Sequence, residues 1–162
     1  MNKKSINSPS YAEASGGFTL IELLVVIGII AILSSVVIVA LNPARQFRQA
    51  RNTQRSSNVN AILNAIGQNM ADNTGNWTCA EGALPASSTN MTSSGGYDIA
   101  PCLVPTYLPA MPYDPSATGA SWTSTSSYNT GYSLSQDSEG RVTIAAPATE
   151  IPPANAQISV TR

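Results

Sequence analysis

The chain has 162 residues, a formal net charge of −1 and only 10% charged residues. That length accommodates one small domain in addition to a membrane helix, and the near-neutral charge gives no indication of nucleic-acid binding. Histidine is absent, which removes the commonest general base and metal ligand. The low charge is typical of an exported protein rather than of a cytosolic domain.

Residues 1–17 are polar, with Lys3 and Lys4 near the start and Gly16 and Gly17 at the end. An ordinary secretory signal has a short apolar core that is followed by a small-residue cleavage site. Here the apolar run is longer, and it follows the glycine pair instead of preceding a cleavage site. Both an ordinary signal peptide and a simple uncleaved anchor are therefore disfavoured.

From Phe18 to Leu41 every residue is apolar or small except Thr19 and Glu22. Such a run is long enough to span the hydrocarbon core of a membrane, which needs about 20 residues in a helix. A carboxylate in a membrane segment costs roughly 3 kcal/mol at the helix centre and less near its end. The unusual Glu22 is therefore predicted to be a functional residue.

The octapeptide GFTLIELL, which begins at Gly17, resembles the processing and methylation site of type IV prepilins and of type II secretion pseudopilins. The resemblance implies that a membrane peptidase cuts between Gly17 and Phe18 and then methylates the new Phe18 amine. It also implies that Glu22 meets the amine of an adjoining subunit during filament assembly. Residues 1–17 then form the leader peptide, and residues 18–41 form the transmembrane and assembly helix.

The orientation in the membrane has a mixed charge signal. Lys3 and Lys4 precede the apolar run, but four arginines follow it. A count of basic residues alone predicts that the C-terminal side stays in the cytoplasm. Against that count, the family's peptidase acts on the cytoplasmic face, and two cysteines favour oxidising surroundings for the rest of the chain. We therefore expect residues 1–17 inside and the remainder outside.

Residues 42–72 are predicted to continue the helix with an amphipathic pattern. Pro43 closes the apolar run because it cannot donate a backbone hydrogen bond. A helix end or kink at the membrane surface and a hinge of the kind the family suggests both fit this position. Beyond it, apolar residues recur at spacings of three and four, which predicts a helix lying against a core. They are Val59, Ile62, Leu63, Ile66 and Met70.

The four arginines project onto nearly the same helix face as this apolar stripe, but nearer the membrane. Two interpretations remain open: a solvated basic face, or arginines that meet anionic lipid headgroups or acidic groups of neighbouring subunits. This predicted membrane-proximal basic face consists of Arg45, Arg48, Arg51 and Arg55.

Residues 73 to about 110 are predicted to form an irregular connection that contains Cys79 and Cys102. Two cysteines in an extracytoplasmic segment usually pair. A bridge between them would add about 3 kcal/mol on the loop-entropy model. Two free buried thiols are the alternative.

Strand signals lie in residues 111–162. Residues 132–136 and 141–145 alternate in polarity on either side of a turn, which predicts a β-hairpin with a four-residue connection. Residues 156–161 are a candidate last strand, whereas the Ser/Thr-rich stretch between positions 113 and 131 is predicted to be a mobile surface loop.

The predicted fold class is α+β. A long N-terminal helix, membrane-spanning in its first half, packs on a small C-terminal antiparallel sheet within a head formed by residues 73–162. The apolar residues of the head are too few to close a core alone, so we expect the sheet to pack on the apolar stripe of the helix. This layout is similar to that of pilins.

No catalytic constellation or phosphate-binding loop is found in the sequence, so we expect no enzymatic activity and no cofactor. The resemblance to major pseudopilins, which hold a calcium ion in the C-terminal half, raises Asp114, Asp137 and Glu139 as candidate ligands. Their spacing does not match an EF-hand loop, and turn carboxylates are usually turn formers. Calcium is therefore only a minor alternative to a site without metal.

The sequence thus predicts a structural subunit of a type IV pilus-like filament. A pseudopilin of a type II secretion system is the first alternative, and a membrane-anchored extracytoplasmic binding module is the second. The expected partners are further copies of the chain, other pilin-like subunits, the prepilin peptidase, an inner-membrane assembly platform and membrane lipid, with no nucleic acid required. We expect the chain in the inner membrane with its C-terminus outside before assembly, and in a surface pilus or periplasmic pseudopilus afterwards.

Overall fold

The computed structural model describes residues 16–150 and 157–162. Two compact units are found, one up to Asn42 and one from Pro43 onwards. The helices are α1 (Leu20–Leu41), α2 (Pro43–Asp72) and α3 (Ala100–Leu103). The strands are β1 (Thr89–Thr92), β2 (Ser121–Ser124), β3 (Ser127–Gln136), β4 (Val142–Ala146) and β5 (Ile158–Thr161). The predicted α+β class is confirmed, with one small antiparallel sheet after the N-terminal helices.

The apolar run forms α1, which has clear signals at both ends. Thr19 is the N-cap residue, with extended backbone angles. Asn42 is the C-cap residue and has a left-handed backbone with φ 42°. Pro43 then begins α2, at a helix position where a missing N–H removes no intrahelical hydrogen bond. The helix end expected at this proline is therefore present.

Helix α2 supplies one side of the hydrophobic core of the second unit. Residues 43–50 are all exposed, and burial begins further along the helix. Four of the five predicted stripe residues are buried, and Met70 is partly buried against the same core. The 3.6-residue pattern thus identified the core-facing side of α2. The buried residues of α2 are Arg55, Asn58, Val59, Ile62, Leu63, Ala65, Ile66 and Asn69.

Strand β3 is the centre of the sheet, which has the order β1-β3-β4-β5 with β2 also paired to β3. The predicted hairpin is confirmed, because β3 and β4 are antiparallel with Leu134 opposite Ile144. Its connection runs from Asp137 to Arg141 and is one residue longer than predicted, and the Asp137 N–H donates to the Arg141 carbonyl across it at 3.0 Å. The predicted last strand is also present as β5, which pairs with β4.

Two sequence predictions of irregular structure are wrong. The connection after α2 contains β1 and α3, and the expected mobile surface loop contains β2 and the first half of β3. Tyr128 and Thr130, which lie within that loop prediction, are buried. Serine and threonine carry much of the pattern in these strands, and strand propensity depends strongly on the pairing partners that only the folded chain supplies.

The predicted disulfide is confirmed. Cys79 and Cys102 are bonded, with their Cα atoms 5.3 Å apart. The bridge ties the connection that follows α2 to α3. The Asn69 side chain adds a second tie, because it donates to the Thr78 carbonyl at 3.1 Å and accepts from the Thr78 N–H at 3.0 Å. The disulfide thus fixes the connection to α3, and the Asn69 bonds fix the C-terminal end of α2 to that connection.

Candidate functional site

The first candidate site is the start of α1, where Thr19 and Glu22 bind each other. The Thr19 N–H and hydroxyl donate to Glu22 Oε2 at 2.8 and 2.7 Å. In return, the Glu22 N–H donates to Thr19 Oγ1 at 3.3 Å. These contacts form a capping box, which satisfies backbone donors that the first turn of a helix leaves unpaired. The T-x-x-E spacing in the sequence was the signal for Thr19, which the sequence analysis did not single out.

The predicted cleavage position lies directly before this capping box. Phe18 is 86% exposed. A Cβ atom added at Gly16 or Gly17 would meet nothing within 4 Å, so no packing in the described structure requires a glycine at either position. Glu22 also lies in the first turn of its helix, where the helix dipole favours a negative charge. The predicted cleavage position and the acidic residue thus lie close together at the start of α1.

The surface of α1 is apolar on every side, and none of its residues is buried within the part of the chain that the structure describes. Its large apolar side chains are between 48% and 83% exposed. The helix has 22 residues with a mean hydropathy of 3.1, which by length and composition is sufficient to cross a membrane. At 1.5 Å per residue it is about 33 Å long, close to the thickness of the hydrocarbon core.

The second cluster lies on α2 and includes two arginines of the predicted basic face. Its structure differs from that prediction. Arg55 is fully buried, and its guanidinium forms a bidentate ion pair with the Asp114 carboxylate. Nε donates to Oδ2 at 2.7 Å and Nη2 donates to Oδ1 at 3.0 Å. It also donates to Glu150 at 2.9 Å. The prediction that Arg55 belongs to a solvated, lipid-facing or subunit-facing surface is therefore wrong. Because Arg55 shares the helix face of the apolar stripe, it points into the head, where carboxylates of its own chain neutralise it.

Arg51 pairs with the same Glu150 through two nitrogens, at 2.6 and 2.7 Å. Arg45 and Arg48 lie in the exposed first part of α2, and Arg48 Nε donates to the Ala44 carbonyl at 3.2 Å. The structure thus divides the four arginines into an exposed pair and a pair bound to the head. Glu150 was missed by the sequence analysis, since no local pattern relates it to a helix so far away in sequence.

The charges of this cluster are held in their ionised forms. Hydrogen bonds from Arg51, followed by those from Arg55, lower the pKa of Glu150 to about 2. Burial alone would raise the pKa of Asp114, but the Arg55 guanidinium and the N–H groups of Ser116 and Ala117 outweigh it and lower that pKa. The cluster is therefore a set of hydrogen-bonded ion pairs between α2 and the head.

The three carboxylates considered as calcium ligands are used in other ways. Asp114 is bound to Arg55, whereas Asp137 and Glu139 pair with Arg141 at 2.8 and 3.0 Å. Within residues 16–150 and 157–162, no group of three or more His, Cys, Asp or Glu side chains is placed to hold a metal ion. The structure therefore does not assemble these three residues into one site.

Comparison with known protein families gives one match. A family model described as the prokaryotic N-terminal methylation motif matches residues 14–38. This match includes the Gly17–Phe18 bond, the capping box and most of α1. Comparisons with curated proteins and with solved structures give no match.

The methylation motif, together with the apolar helix, is consistent with the type IV pilin and pseudopilin family. It supports a pilin-like or pseudopilin subunit in general terms, that is, a structural subunit rather than an enzyme. It implies processing by a prepilin peptidase and polymerisation with pilin-like subunits. The motif and α1 also fit anchoring in a membrane before assembly.

Proposed function

We propose that this protein is a subunit of a type IV pilus-like filament, cleaved between Gly17 and Phe18 and polymerised through α1. The observation that supports the proposal is the character of α1. The helix begins with a capping box that contains the Glu22 carboxylate, and it then exposes apolar side chains on every side. A helix that is apolar all round is stable only in lipid or among other apolar helices. Lipid supplies that environment before assembly, and the α1 helices of other subunits supply it afterwards.

Glu22 is assigned the role of setting the position of an incoming subunit. Cleavage makes Phe18 the new N-terminus, so the processed chain has a charged amine close to the carboxylate. Within an apolar environment an unpaired charge is costly, and an amine and a carboxylate that meet there attract strongly. An incoming subunit is therefore drawn to the position at which its Phe18 amine contacts Glu22 of the neighbouring subunit.

The test of this role is Glu22→Ala, with Glu139→Ala as a matched control in the head. We expect Glu22→Ala to leave cleavage and membrane insertion intact and to remove most of the filaments from a sheared surface fraction. Glu139→Ala removes an exposed carboxylate that pairs with Arg141, so filament yield should be unchanged. Normal filament yield from Glu22→Ala would disprove the assembly role.

The cleavage position has its own test in Gly17→Val. Because no described contact requires glycine at this position, the substitution should leave the head folded. A branched side chain next to the scissile bond should block the peptidase, so the chain keeps its leader. The intact mass of the membrane fraction measures this outcome. An unchanged mature mass would place the cut elsewhere.

A pilus is favoured over a type II secretion pseudopilus by two features. The chain has a disulfide, which major pseudopilins commonly lack, and its proline lies later after the apolar run than theirs often does. We place the head outside the inner membrane, where a disulfide persists. A subunit found only in the periplasmic and membrane fractions would favour the pseudopilus. A chain that stays in membranes with its leader attached would favour an anchored binding module.

A further inference from the structure

The contacts of Glu150 with α2 form a distinct junction near the start of the packed part of that helix. Arg51 and Arg55 both donate to the Glu150 carboxylate, at 2.6–2.9 Å. The Asn52 side-chain oxygen accepts from the Glu150 backbone N–H at 3.2 Å and from Arg55 Nη1 at 2.7 Å. We call these four residues the Glu150 clamp.

The clamp holds the chain that follows β4 against α2. Thr149, next to Glu150, donates to the Ala146 carbonyl at the end of β4 and accepts from the Ile158 N–H at the start of β5. These two bonds link the residue before Glu150 to the ends of β4 and β5. On the helix side, Arg51 is the first residue of α2 that is not exposed, because residues 43–50 all lie open.

The two carboxylates that bind Arg55 have different surroundings. Asp114 is fully buried, and it also accepts from the N–H groups of Ser116 and Ala117, both at 2.8 Å. The Glu150 side chain is 24% exposed. Asp114 binds Arg55 through Nε and Nη2 whereas Glu150 binds Nη1, so the Glu150 contact can break while the Asp114 pair is kept.

From this geometry we propose that Glu150 acts as a clamp that opens separately from the core and sets how far the packed part of α2 reaches towards its N-terminus. With the clamp closed, the part of α2 that is not exposed begins at Arg51. With the clamp open, it begins at Arg55, one helical turn later. Release therefore lengthens the exposed part of α2. This inference does not depend on filament formation.

The test is amide hydrogen exchange, measured by mass spectrometry on the full chain in detergent micelles. Glu150→Ala should speed exchange roughly tenfold in peptides covering residues 47–55, because charge-assisted hydrogen bonds that protect a local opening are lost. Peptides covering residues 60–70 should exchange at the parent rate. Arg51→Gln should give a smaller change at the same place, since Arg55 still holds Glu150. Arg48→Gln is the matched control, and we expect no change from it.

Two results would overturn the proposal. Equal acceleration in residues 47–55 and 60–70 would mean that Glu150 only contributes to global stability. An unchanged exchange rate in residues 47–55 would mean that the contacts do not limit local opening. Asp114→Asn serves as the reference for global destabilisation, because it weakens the buried pair of Arg55 and should speed exchange in both segments.

Discussion

Helices α1 and α2 follow one another in the chain, yet they obtain their stability in different ways. Among residues 16–150 and 157–162, α1 has no buried residue, whereas α2 has eight. Isoleucine shows the contrast directly, because Ile30 in α1 is 55% exposed and Ile62 in α2 is 0% exposed. A second contrast lies within α2, where Arg48 is exposed and Arg55 is buried.

The contrast between the two helices shows that apolar residues before and after Asn42 depend on different partners for their burial. The buried apolar side chains of α2 pack in one core with residues of the sheet, so the same chain supplies their cover. The apolar side chains of α1 are covered by nothing in the described structure. Their burial therefore requires surroundings from outside the subunit, which the membrane and a filament core both provide.

Arg55→Leu should give the largest effect on the head. It leaves the Asp114 carboxylate buried without its guanidinium partner, and we expect the free energy of unfolding to fall by about 3–5 kcal/mol. Arg48→Leu removes an arginine from the exposed part of the same helix, so it should have no measurable effect. Both tryptophans, Trp77 and Trp122, lie in the second unit, so urea unfolding followed by their fluorescence measures this unit. Equal effects of the two substitutions would contradict the division of the arginines.

The same substitution in each helix tests whether both helices stabilise the head. The two variants to compare are Ile62→Ala in α2 and Ile30→Ala in α1. Ile62 is part of the core, so its truncation should lower the free energy of unfolding of the head by about 3 kcal/mol. Ile30 is 55% exposed and belongs to the other unit, so its truncation should leave the same measurement unchanged. A destabilised head in Ile30→Ala would show that α1 is part of the folded unit after all.

Acid should weaken the attachment of α2 to the head. The pKa of Glu150 falls from 4.5 to about 2 on folding, and that of Asp114 is lowered as well. A carboxyl with a lowered folded pKa contributes stability that is present above its unfolded pKa and is lost as the pH falls towards the folded value. The urea midpoint should therefore drop between about pH 4.5 and 2. In Glu150→Gln this drop should be shallower, and an unchanged drop would mean that Glu150 does not contribute to it.

Gly67→Ala should give the smallest effect, with the opposite sign. Gly67 is exposed within α2, and an added Cβ meets nothing within 4 Å. Alanine is favoured over glycine in a helix by about 1 kcal/mol, so the head should become more stable by up to that amount. Gly28→Ala in α1 likewise meets nothing, and it should leave head unfolding unchanged. A destabilised head in Gly67→Ala would contradict the exposed position of this glycine.

Elements with a periodic or compositional signal could be predicted from the sequence. The uninterrupted apolar run predicted α1, the spacing of three and four identified the buried side of α2, and alternation predicted the β3–β4 hairpin. The capping box was equally legible in Thr19 and Glu22, although only the glutamate was singled out. These features share one property, which is that they depend on residues close together in the chain.

Contacts between distant parts of the chain were not predicted. Arg55 and Asp114 are 59 positions apart, and Arg51 and Glu150 are 99 apart. On the helix alone, Arg55 could not be told from Arg48, because burial is decided by the carboxylate that meets it. Strands β1 and β2 were missed for a related reason, since each is short and is defined by its pairing with β3.

The central claim is that this chain is processed at Phe18 and leaves the membrane as part of a filament. The most direct measurement is the N-terminal peptide and intact mass of the protein, taken separately from sheared surface material and from membranes. The account predicts a chain in the sheared material that begins with methylated Phe18. A chain that begins at Met1 in both fractions would contradict it.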